Sequence, residues 1–191
     1  MNVNAQDYLE LCEANNDICF WDIEATGLKG DYNSILVVSI CPFYGDPITF
    51  SVDRVGDDAA VCREAKEVLE QFKIWTGYYS RGYDIGMLNT RLFKNGDKFV
   101  EKRHHLDLYF QLKTKLSASR RSQAHYMNWF NDGSDEEKEM DKMSMGANMW
   151  ADMPAKIDKL MPKMIDRCES DVKGLRLLYN RVKPLINDIT M

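Results

Sequence analysis

Phe20-Trp21-Asp22-Ile23-Glu24-Ala25-Thr26-Gly27 sets two acids two positions apart inside a run of large apolar residues. At the two-residue period of a strand, Asp22 and Glu24 leave one face while Trp21 and Ile23 enter the opposite layer. Neighbouring carboxylates in an apolar strand repel each other and resist desolvation, and a bound divalent cation is the simplest compensation. Taken alone, an Asp-x-Glu pair reads as well as two solvated acids at a strand end, so the rest of the chain has to decide.

Working outward, the pattern predicts a short lead-in helix over 5–14, stopped by Asn15, Asn16 and Asp17, and then a strand over 18–23. After the turn 26–30, a β-branched run over 34–42 and an alternating run over 48–52 complete an antiparallel meander. Asp57 or Asp58 caps a predicted helix to about Phe72, and 74–78 reads as the next strand. Asp84 opens a helix with Met87, Leu88, Leu92 and Phe93 inward; 99–106 reads as a last strand, followed by a helix carrying Leu108, Phe110 and Leu112. Asp107 stands where that helix needs an N-cap. Pro162 is expected in the first turn of the final helix, whose apolar face is Cys168, Val172, Leu175, Leu178, Tyr179 and Val182. The order predicts an α/β fold, a mixed sheet of three antiparallel strands plus further strands flanked by helices.

The 191 residues, 45% apolar and 29% charged, suit a single domain over 1–191 with a helical, Met-rich part from about 108. The clustered methionines read as flexible core filler, and the acidic stretch 131–141 as a solvated loop or helix start. No run reaches the roughly 18 apolar residues of a membrane span, and the first residues lack the basic and apolar regions of a secretory leader. Cys12, Cys19, Cys41, Cys62 and Cys168 contain no Cys-x-x-Cys pair and read as reduced, mostly buried thiols. These features predict a cytoplasmic protein with no membrane partner. The net charge of −5 argues against indiscriminate coating of nucleic acid, although clustered metal-binding acids contribute to it. Locally, Arg91, Lys94, Lys98, Lys102, Arg103, Lys113, Lys115, Arg120 and Arg121 form a positive section, either a phosphate-attracting patch or ordinary solvated faces. Tyr78, Tyr79 and Tyr83 read either as base-stacking or as core aromatics. His104, His105 and His125 read as structural or exposed.

Trp21-Asp22-Ile23-Glu24-Ala25-Thr26-Gly27-Leu28 resembles the first motif of the DEDD superfamily of 3′→5′ exonucleases, related to the proofreading domains of DNA polymerases, which have a ribonuclease H-like fold. Gly77-Tyr78-Tyr79-Ser80-Arg81-Gly82-Tyr83-Asp84 resembles the second motif, and Arg167-Cys168-Glu169-Ser170-Asp171-Val172 the third. Each match is short; three in the right order on the expected elements are fairly specific. The resemblance implies that Asp22, Glu24, Asp84 and Asp171 hold two divalent cations, Mg²⁺ or Mn²⁺. It further implies hydrolysis of the 3′-terminal phosphodiester of single-stranded DNA with release of a nucleoside monophosphate. Thr26, Gly27, Leu28, Tyr79 and Tyr83 would meet the terminal nucleotides, and replication or repair proteins are the implied partners. Exoribonuclease action is the nearest enzymatic alternative, and a degenerate nuclease fold that binds nucleic acid or a replication protein without cleaving it is the alternative of another class.

The chain departs from that family's pattern at the position of its general base. Members carry a Tyr four residues, or a His five residues, before the last Asp; here those positions are Arg167 and Asp166. Arg cannot accept a proton at neutral pH, whereas Asp166 can serve as a base or weak metal ligand. Arg167 is expected either to hold a scissile-strand phosphate or to be a surface ion-pairing residue. Tyr79 replaces the usual Asn of the second motif, and Gly86 a frequent Pro.

Overall fold

The apolar runs and the turns between them fold as a five-stranded sheet with helices on both faces. The computed structural model describes residues 4–101, 103–130 and 148–187. Helix α1 (Ala5–Ala14) precedes β1 (Ile18–Ala25), β2 (Ile35–Pro42) and β3 (Ile48–Ser51). Then come α2 (Ala59–Leu69), β4 (Ile74–Gly77), α3 (Asp84–Lys94), β5 (His104–Asp107), α4 (Leu108–Lys115), α5 (Gln123–Phe130) and α6 (Asn148–Val182). The sheet order is β3-β2-β1-β4-β5. β1–β2 and β2–β3 pair antiparallel, as the meander predicted, and β1–β4 and β4–β5 pair parallel. Central β1 is buried almost throughout, as a strand covered on both faces must be.

Its two faces serve two cores. Cys19, Trp21, Ile23 and Ala25 pack with the α2 residues Val61, Cys62 and Ala65 and with Met87, Leu88 and Leu92 of α3. Ile18 and Phe20 pack instead with α1, Leu108 and Leu112 of α4, and Val172, Leu175 and Tyr179 of α6. Asp22 and Glu24 continue the face of Ile18 and Phe20 toward the strand's C-terminal end. Met153, Met161 and Met164 are fully or nearly buried, in keeping with core filler. The acidic stretch 131–141, Met140, Met143 and Met145 lie outside the described residues.

The structure departs from expectation at several places. Phe93, expected inward on α3, is 70% exposed and stacks on Phe99. Residues 99–101 and 103 are not strand: Val100 N–H donates to Asn89 Oδ1 (3.1 Å) and Glu101 N–H to Glu70 Oε1 (2.7 Å), so side chains take bonds that a neighbouring strand would have made. The Asp58 side chain does not cap α2; its carboxylate accepts from Ile35 N–H (2.8 Å) and from Arg91 Nε (2.7 Å). Pro162 lies inside α6, which begins well before it and loses helical geometry at Lys156 (φ −135°, ψ 29°), two residues after Pro154. Pro162 and Asp158 are both exposed, so water can satisfy the carbonyl that the missing N–H leaves open.

Candidate metal centre

The strand period brings Asp22 and Glu24 to one face, and α6 crosses that face with Asp171. Carboxylate oxygens of the three lie within 4.8 Å of one another. Cross-strand register extends the polar row, with Asp22 opposite Ser39 and Ser39 opposite Thr49. Ser39 Oγ and Thr49 Oγ1 share a hydrogen bond of 3.0 Å, and Thr49 Oγ1 donates to Glu169 Oε1 of α6 (2.8 Å). Cys168, fully buried, directs Sγ at the Asp22 carbonyl (3.5 Å) and Asp22 Oδ2 (3.7 Å). Burial and the Asp22 and Glu24 charges hold its thiol well above its usual pKa, so it sits as a neutral donor under the acids.

Arg167 lies one helical turn before Asp171, and its Nε is 2.7 Å from Glu24 Oε1 and 3.9 Å from Asp171 Oδ2. Burial opposes its charge, but Glu24 and Asp171 outweigh that cost and raise its pKa. The expected phosphate ligand is therefore engaged with the acids. A hard, all-oxygen donor set that already draws in a guanidinium fits a divalent cation. Asp166 points to the exposed side of the helix, outside the group of three.

Asp84 opens α3 and is buried, with Oδ1 accepting from Ile23 N–H (3.2 Å) between the two acids of β1. Burial pushes its carboxyl up to about 7, with Asp107 and Glu24 adding repulsion against the backbone N–H bonds that lower it. It is not among the three clustered oxygens. Tyr83 is half-buried and its hydroxyl donates to the Gly27 carbonyl (2.9 Å), fastening the second motif's segment to the first motif's turn. The Thr26 hydroxyl accepts from Ser34 N–H (3.1 Å) and closes that turn, and Thr26 also lines a cleft of about 450 Å³ with Tyr32, Asn33 and Lys94. Leu28 is 80% exposed at the turn's tip.

Asp107 caps α4 as expected, accepting from Tyr109 N–H (3.0 Å). It also accepts from Tyr79 N–H and Arg81 N–H, both at 2.9 Å, so one carboxylate holds the end of β5 to the loop after β4. His105 shares a 2.8 Å hydrogen bond with Ser80 Oγ. A Cβ at Gly77 would overlap Ser80, so only glycine admits this approach. Of the positive section, Arg91 is buried against Asp58, and Arg103 pairs with Glu101 (3.0 Å). Lys113, Lys115, Arg120 and Arg121 are exposed. The sequence reading missed Ser39, Thr49 and Glu169, whose link joins two strands and a distant helix with no local signal. Phe110, grouped with Leu108 and Leu112 in the sequence, is instead 39% exposed in the first turn of α4.

A family model described as RNase_H_2, of the RNase_H superfamily, matches residues 19–182. The chain belongs to the RNase H superfamily. No curated protein matches it by sequence. Among solved structures it is similar to the family B DNA polymerase from the hyperthermophilic archaeon Pyrobaculum calidifontis, with a TM-score of 0.70 and 19% identity. That match covers 87% of this chain and 24% of the polymerase, so the chain spans about a quarter of the polymerase's length, and the likeness is one of fold. Fold and acidic cluster together are those of a nuclease-like protein able to bind metal.

Proposed function

We propose that the chain is a divalent-metal-dependent 3′→5′ exonuclease that removes nucleoside monophosphates from single-stranded DNA, acting in the cytoplasm beside replication or repair proteins. The observation that carries this reading is the convergence of Asp22 and Glu24 from β1 with Asp171 from α6, with buried Asp84 bonded between the first two. Mg²⁺ or Mn²⁺ held by these acids, two ions by the resemblance, supplies charge stabilisation and an activated water for phosphodiester hydrolysis. The chain's own residues do the rest. Asp22, Glu24 and Asp171 would hold the cations together with Asp84, which also orients the backbone between the first two through Ile23 N–H. With a cation held by the acids, Arg167 would be free to leave Glu24 and hold a phosphate of the scissile strand. Asp166, on the water-facing side, is the remaining candidate base. Thr26, Gly27, Leu28, Tyr79 and Tyr83 would border the terminal nucleotide.

A second reading, a degenerate fold that binds without cleaving, draws on the Arg167–Glu24 pair, which neutralises the site from within. Release of mononucleotides from 3′- and 5′-labelled single-stranded DNA and RNA, with Mg²⁺ or Mn²⁺ and with EDTA, tests both. Metal-dependent loss from the 3′ end that vanishes in an Asp22→Ala/Glu24→Ala variant is expected, with DNA preferred to RNA. No turnover on any strand with binding intact favours the second reading.

A further inference from the structure

Tyr79 has φ of +62°, in the left-handed region that Asn and Gly tolerate and bulky residues avoid. The Asp107 carboxylate holds it there through the N–H groups of Tyr79 and Arg81, and Gly82 leaves room for the ring, since a Cβ there would lie 2.6 Å from Tyr79 Cζ. The ring so positioned adds little to either core, being 48% exposed. It stacks instead on Phe110, itself 39% exposed, at 5.9 Å between centroids and 28° between planes. Tyr109 meets both edge-on, at 5.0 and 5.2 Å, and Lys113 Nζ lies 5.8 Å from the Tyr109 ring centre. Tyr79 and Phe110 thus present ring surface to water, braced by half-buried Tyr109 and by the buried Asp107 carboxylate.

The platform shares a sheet end with the acids. Phe20 pairs with Thr76 in parallel, so Asp22 and Glu24 on β1, and Tyr79 just past β4, all lie beyond that level in the same direction. Between them runs a basic connection. The Tyr78 hydroxyl donates to the Arg121 carbonyl (2.5 Å), and the Gln123 amide donates to the Asp171 carbonyl (2.8 Å). The stretch from Leu108 to Asn131 contains no Asp or Glu, and its Lys113, Lys115, Arg120 and Arg121 are exposed. Flat exposed rings beside exposed cations match the two surfaces of a single strand, its base faces and its phosphates.

We propose that Tyr79, Tyr109 and Phe110 form a stacking platform for unpaired bases of a single-stranded nucleic acid, with Lys113, Arg120 and Arg121 holding its phosphates on the way to the carboxylate group. The direction of the strand rests on the exonuclease reading; the platform does not. Stacking on a ring face is tolerant of base identity and of sugar.

The test is fluorescence anisotropy of 5′-labelled decathymidylate, decauridylate and an abasic deoxyribose-phosphate decamer, in EDTA so that nothing is cleaved. Tyr79→Asn suits the left-handed backbone and removes the ring, and Phe110→Leu keeps apolar bulk and removes the π face; circular dichroism and urea unfolding verify that both fold. Each variant should bind the two base-bearing strands about tenfold more weakly and the abasic strand as the unaltered protein does. Variants that bind decathymidylate undiminished, or an unaltered protein that binds the abasic strand as tightly as the base-bearing ones, overturn the platform. So does an unaltered protein that binds none of them. Failure of the exonuclease reading would show separately, as absence of mononucleotide release with Mg²⁺ or Mn²⁺.

Discussion

At the scale of single residues, Arg167 sets the electrostatics of the acidic group. Its guanidinium partly offsets the mutual repulsion of Glu24 and Asp171, and the same contacts set it against an incoming cation. Arg167→Ala should lower metal-free stability by about 1–3 kcal/mol in urea unfolding, the range for truncating one partner of a largely buried pair that water reaches at one end. Mn²⁺ should bind the variant several-fold more tightly by calorimetry; weaker binding would mean that the arginine organises the ligands instead of competing with metal. His105 gives a pH dependence. Burial, with Arg81 nearby, lowers its pKa from 6.5 to about 4, so the folded state binds fewer protons than the unfolded one. Its contribution is therefore present above about pH 6.5 and lost as the pH falls toward 4, amounting to at most about 3 kcal/mol. His105→Gln should flatten the stability profile across that window; an unchanged slope would assign it to other groups. Asp22, Glu24 and Asp107 were legible in sequence because strand period and capping are local rules. The partnership of Arg167 with Glu24 was not, because it spans 143 positions and depends on how α6 crosses the sheet.

At the scale of elements, Asp58 shows how tertiary demand overrides a local signal. An acid before a helix reads as a cap, yet this one joins α2 to α3 through Arg91 Nε (2.7 Å) and Nη2 (2.8 Å), and to β2 through Ile35 N–H. Arg91 also donates to the Gly30 carbonyl (3.1 Å), so the same pair steadies the turn after β1. Asp58→Ala should cost about 3–5 kcal/mol, since a buried guanidinium and a buried N–H lose their acceptor together. Chemical denaturation measures this, and a loss below 1 kcal/mol would show that water replaces the carboxylate. The strand expected at 99–106 shrank to β5 for a related reason. β-propensity in Phe99 and Val100 was real, but Asn89 and Glu70 capture the backbone of this stretch before it can pair.

At the scale of the whole molecule, the meander, the mixed sheet and its helical cover followed from hydrophobic periods, because each element's burial is written into its own residues. The site was legible to the extent that it sits on those periods. Because its acids come from the two ends of the chain, any ligand that draws them together should stabilise the fold globally. Saturating Mn²⁺, at about 100 times its dissociation constant, adds roughly 2.7 kcal/mol. For a chain of this length that corresponds to a rise of about 5–10 °C in Tm by scanning calorimetry. Asp22→Asn should abolish most of the rise; an equal rise in both proteins would move the ion elsewhere.

The buried Cys168 thiol beneath Asp22 has one more consequence. A bulky disulfide reagent cannot reach it while α6 lies on β1, so the time course of its modification is a clock for the parting of the helix from the strand. The chain thus carries, directly under its acids, a chemical reporter of how often they come apart.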